Sequence, residues 1–116
     1  MADWEREIEI ELLRAKESNN PGRTRTAARR IAGIAIQELQ KRDPGASVPR
    51  DYISALRVFA KSENLPESVA AAAARLEARL STDFISRSID PVGDAMIIVG
   101  FVRTKLDGSD EKDIGK

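Results

Sequence analysis

The chain has 116 residues, 41% hydrophobic and 33% charged, which fits one domain with enough apolar material for a core and enough charge against wholesale disorder. Its 19 basic and 19 acidic residues cancel, so no global field draws it to nucleic acid or an anionic membrane. Cysteine and histidine are both absent, which excludes disulfides, thiolate nucleophiles, Ser-His and Cys-His catalysis and the commonest metal ligands.

With only 4% aromatic residues, the core must be built from Ile, Leu, Val and Ala, a composition that suits helix on helix. Residues 3–18 predict a first helix, with Asp3 as its N-cap. Trp4, Ile8, Leu12 and Ala15 recur at helical spacing, and Ile10 and Leu13 widen that stripe. The turn Asn19-Asn20-Pro21-Gly22 precedes a second helix from about Arg23 to Arg42. Its face is Ala28, Ile31, Ala35 and Leu39, broadened by Ala27, Ile34 and Ile36. Gly33 costs roughly 1 kcal/mol against Ala inside a helix, so it implies close approach by a neighbour.

Asp43-Pro44-Gly45 stops this helix. Ser47 is the expected cap of a third helix, with Pro49 in its first turn and Tyr52, Ile53, Leu56 and Phe59 on its face. A fourth helix is expected from Pro66 to about Leu80, with Val69, Ala73, Leu76 and Leu80 inward. Residues 81–89 read either as a short extra turn of helix or as a loop packed by Phe84 and Ile85. Asp90 and Pro91 cap and open a last helix that runs to about Leu106. Asp107-Gly108 ends it, and residues 107–116 read as a disordered polar tail outside a bundle domain of residues 1–106. There is no internal repeat or second domain.

The last helix leaves almost no polar face through Met96, Ile97, Ile98, Val99, Phe101 and Val102. Such a helix must be covered all round, so it is either central or meets a second subunit. Gly93 and Gly100 share one face and permit close packing there. Gly93, Ile97, Gly100 and Phe101 are therefore the candidate oligomer interface. A buried strand over 96–102 is the alternative, although it would have no partner strand. The apolar run is far shorter than the roughly 20 residues needed to span a bilayer. The acidic N-terminus does not read as a signal peptide, so a cytoplasmic protein without membrane contact is expected.

Arg23, Arg25, Arg29 and Arg30 crowd the start of the second helix, where positive charge opposes the helix dipole. They are candidates for binding the phosphates of RNA, DNA or a nucleotide. The simpler reading pairs them with Glu11 or Glu17 of the adjacent first helix. Glu5, Glu7, Glu9 and Glu11 read as a solvated acidic face. Carboxylate-rich bundle metal sites add Glu-x-x-His motifs, which this chain cannot supply, so no metal is expected. Asp107, Asp110, Glu111 and Asp113 lack the glycine and spacing of a calcium loop. Trp4 reads as a core or interface residue, and Tyr52 as amphipathic core with its hydroxyl at the surface. Phosphate-cradling glycine motifs are absent, and neither a catalytic constellation nor a cofactor is expected.

The segment from Glu11 to Ala15, a short Asn-Pro-Gly turn and the Ala-rich stretch from Ala27 to Ala35 together resemble the opening helix pair of HEPN-like proteins. The Pro-containing entry from Asp90 to Ile98 is similar to the family's apolar last helix. The resemblance covers residues 4–106 in pattern and spacing. It implies an up-and-down bundle of four or five helices, usually dimeric. It also implies association with nucleotidyltransferases, RNA or toxin–antitoxin systems. Many members are ribonucleases with an Arg followed after four to six residues by a His. Arg79 and Arg87 lie near that position, but no His follows either.

The expected protein is thus an all-α bundle and a non-catalytic interaction module. It is expected to be homodimeric and a partner for a nucleotidyltransferase or a toxin–antitoxin-like system. RNA or nucleotide binding through the arginines of the second helix is the alternative.

Overall fold

The computed structural model describes residues 2–42, 45, 49–78 and 90–115, with side chains described through Asp107. Among these residues there are five helices and no strand: α1 Asp3–Glu17, α2 Pro21–Lys41, α3 Tyr52–Ala60, α4 Glu67–Glu77 and α5 Pro91–Gly115. The all-α bundle expected from periodicity is the fold. The strand alternative for 96–102 falls, because those residues lie inside α5.

Local chemistry sets where the helices start, and it corrects several expected boundaries. Asp3 lies inside the first turn of α1, and Ala2 occupies the cap position without a side-chain bond. Asn20 opens α2 two residues earlier than expected. Its Oδ1 accepts from the backbone N–H of Gly22 at 2.8 Å and of Arg23 at 3.3 Å, with Pro21 preset for the first helical position. Helix α3 starts at Tyr52, so Pro49 precedes it. Asp51 is the cap and accepts from the Ser54 N–H at 2.7 Å, which satisfies a donor the helix cannot. Asp90 performs as expected, accepting from the Gly93 N–H at 3.0 Å. Helix α5 runs past the expected stop at Asp107-Gly108 to Gly115. Glycine costs only about 1 kcal/mol inside a helix, and no proline follows to remove a donor. The expected cap Ser47, Leu80 and the segment 81–89, with Arg79, Phe84, Ile85 and Arg87, lie outside the described residues.

Each helix packs against its neighbour in sequence, and α2 also packs on α5, closing the bundle. The largest fully buried side chains are Ile8, Ile31, Ile36, Leu56, Leu76, Ile98, Val99 and Val102. Burying each contributes roughly 1.5–3 kcal/mol. A helix cap contributes about 1 kcal/mol. The core therefore holds the fold, and the caps set its boundaries. Gly33 admits α3 as expected: a Cβ there would lie 2.7 Å from the Tyr52 Cα and 2.9 Å from its carbonyl oxygen. Tyr52 itself is half-buried at this crossing.

Helix α1 forms the outer layer, packed chiefly on α2, with Arg103 of α5 reaching Glu5 at 3.4 Å. Trp4, Ile8, Glu11 and Ala15 are buried and Leu12 half-buried. Ile10 and Leu13 do not widen this stripe. At about 100° per residue they fall on the opposite side of the helix. Nor is Glu11 part of a solvated acidic face. It lies among the buried residues, within reach of two arginines.

Candidate interaction surfaces

The four arginines of α2 divide by direction around the helix. Arg30 takes the simpler expected role, with its Nη1 3.8 Å from Glu11, which also accepts from Arg14 at 2.9 Å. Arg25 and Arg29 turn the other way, to the end of α4. Arg25 donates to the Ala78 carbonyl at 2.5 Å and Arg29 to the Glu77 carbonyl at 3.4 Å. Those carbonyls have no partner within the helix, and the C-terminal end of a helix favours positive charge. Arg57 approaches the Glu77 carboxylate at 3.4 Å, so three guanidinium groups gather at the end of α4. Burial lowers the Arg29 pKa from its ordinary value. Arg25 lowers it further, Glu77 opposes the shift, and Arg57 adds a smaller push downward. The Nε atoms of Arg25 and Arg29 are buried without a hydrogen-bond partner. Arg23 is exposed. The sequence-predicted patch is therefore partly structural. Arg57 and Glu77 belong to it, although nothing in their sequence neighbourhood marks them.

The candidate interface on α5 is dispersed. Ala95, Ile98, Val99 and Val102 are fully buried, while Ile97 remains 38% exposed. A Cβ at Gly93 would run into the carboxylate of Asp90, the cap of its own helix. Gly100 has open space where a Cβ would go. At neither position is another described helix the nearest neighbour. Phe101 turns inward, its ring edge-on to Phe59 at 6.0 Å between centroids, with the Lys105 ammonium 5.6 Å from the Phe101 centroid. Together with Leu39, Leu65 and Leu106 these rings floor an open groove of about 620 Å³ at one end of the bundle.

Asp94 is the one charged side chain between Pro91 and Val102, and it is buried. Arg75 grips it with two bonds, of 3.0 Å from Nε and 2.7 Å from Nη2, which tie the end of α4 to the start of α5. The hydrogen bond to Asp94 raises the Arg75 pKa above its ordinary value. A lone acid inside an apolar stretch is the sequence signal that points to such a partner.

The outer face of α1 carries the largest apolar exposure. Ile10 is 46% exposed and Leu13 is 58% exposed, one turn apart on the side of α1 opposite its buried stripe. Val58 of α3, at 53%, and Ile97 of α5 are the other large exposed apolar residues among the described ones. Among the described residues no group of three or more acidic side chains is placed to hold a metal ion. No described helix is long and apolar enough to cross a membrane. Comparison with known protein families, curated proteins and solved structures finds no match to the chain.

Proposed function

We propose that this chain is a non-catalytic helical module that works by associating with a second copy of itself. The observation that carries this reading is the exposure of Ile10 and Leu13 on the outside of a bundle whose core is already filled from other faces. Exposed large apolar residues one turn apart point to a contact surface more than scattered ones do. The resemblance to HEPN-like bundles, which are usually dimeric, points the same way. It also makes a nucleotidyltransferase or a toxin–antitoxin-like protein the class of further partner to try first. Light scattering across a concentration series tests the reading. The expected mass rises from 12.8 kDa towards twice that value. A single-chain mass up to roughly millimolar protein, the range of weak pairs, would overturn it.

One observation favours a second reading, in which the arginines bind RNA or a nucleotide. Arg25 and Arg29 each keep a buried Nε–H without a partner, beside the exposed Arg57. Once these side chains swing outward, a phosphate oxygen would satisfy such donors. Titration with single-stranded RNA at low and moderate salt checks it. Salt-sensitive binding that weakens in Arg57→Glu supports it. Indifference to both removes it.

A further inference from the structure

We propose that the outer face of α1 pairs antiparallel with the same face of a second copy of this chain. This rests on the self-association reading and names its surface. Arg6, Ile10, Leu13 and Glu17 are spaced four, three and four apart, the interval that keeps one seam of a helix turned to a partner helix. All four are exposed, opposite the stripe of Trp4, Ile8 and Ala15 that enters the core.

The order of residues along this seam chooses the direction of the partner. A two-fold axis between antiparallel copies sets Ile10 against Leu13 twice and Arg6 against Glu17 twice. A parallel partner would set Arg6 against Arg6 and Glu17 against Glu17, which repel. The edges of the seam agree. Glu7 and Arg14 lie one heptad apart along one edge, and Glu9 and Lys16 along the other. Like edges meet in an antiparallel pair, so Glu7 approaches Arg14 of the second copy and Glu9 approaches Lys16. Each contact joins opposite charges. Arg14 already donates to Glu11 but keeps its side chain 64% exposed, and a guanidinium has further donors to give. The acidic first half of α1 and its more basic end thus complement each other about the axis.

Two apolar side chains per copy on a helix about 22 Å long make a small interface, below the roughly 1,200 Å² of standard ones. The pair is accordingly weak and concentration-dependent.

A charge swap tests the assignment, read by sedimentation equilibrium with circular dichroism as the check on folding. Both positions are exposed, so both single variants fold. Arg6→Glu and Glu17→Arg are each expected to weaken the dimer about tenfold, since each loses two exposed ion pairs and gains like-charge contacts. The double variant, Arg6→Glu with Glu17→Arg, is expected to return to within about threefold of the wild type, because the swapped charges meet again across the axis. Within one helix these residues stand three turns apart, so only a second copy can supply the rescue. A double variant as weak as the singles overturns the proposal. So does a wild-type dimer indifferent to both single changes, which would leave self-association standing on another surface. A wild type that never dimerises overturns the proposal together with the reading beneath it.

Discussion

Helices α5 and α1 invert the usual link between apolar content and available surface. Helix α5 is apolar from Ala95 to Val102 apart from Gly100, yet the bundle absorbs Ala95, Ile98, Val99 and Val102 completely and turns Phe101 onto Phe59. Helix α1 alternates acids with apolar residues, yet it leaves Ile10 and Leu13 in solvent. Position in the bundle explains the difference. Helix α5 packs on both α2 and α4, whereas α1 rests chiefly on α2 and keeps its far side open. An apolar residue is available for contact when its direction around the helix exceeds what neighbours cover, however polar the helix around it.

The sharpest way to break this comparison is to truncate adjacent residues of α5. Ile98→Ala is expected to destabilise the fold by roughly 2–5 kcal/mol, the cost of lost transfer energy and a cavity. Ile97→Ala, at a half-open position, is expected to cost about 1 kcal/mol or less. Chemical denaturation of the two variants measures both. Equal losses would mean that α5 is covered all round after all.

The glycines give a smaller contrast of opposite signs. Gly33→Ala drives a methyl group into the Tyr52 backbone and is expected to cost about 1–3 kcal/mol despite the gain in helix propensity. Gly100→Ala meets nothing and is expected to stabilise by about 0.5–1 kcal/mol. Thermal melts decide the signs. Destabilisation by Gly100→Ala would reveal a neighbour against that face.

The smallest effect concerns the start of α3. The Ser54 backbone N–H, and then its hydroxyl, hold the Asp51 carboxyl below the ordinary aspartate range. A depressed folded-state pKa stabilises the fold above the unfolded value, and this contribution is lost as pH falls through the folded value. Melting of Asp51→Ala is therefore expected below the wild type at neutral pH, with the gap closing in acid. A gap unchanged by pH would mean that the carboxylate is not the cap.

Periodicity and turn chemistry carry the fold well. Five helices and the close approach at Gly33 follow from spacing, alanine content and the cost of an unexplained glycine. What one-dimensional patterns miss is direction. Ile10 and Leu13 read as additions to a stripe because they are apolar and nearby, although the helix turns them to the far side. Arg25 and Arg29 stand out as a patch because they are dense in sequence, and nothing in that density tells that they also reach the end of a helix about fifty residues away. The pairing of Arg75 with Asp94 escaped the same way, since charge density flags clusters and passes over a lone acid. The antiparallel charge order of α1 is written in its sequence, but it acquires meaning only once the exposed face is known.

The central claim is that association belongs to the outer face of α1 and not to α5. Sedimentation equilibrium of Leu13→Glu beside Ile97→Glu, at a concentration where the wild type is paired, tests it most directly. Leu13→Glu is expected to run at the single-chain mass, and Ile97→Glu at the mass of the pair. Dissociation by Ile97→Glu, with Leu13→Glu still paired, would contradict the account and move the interface to α5.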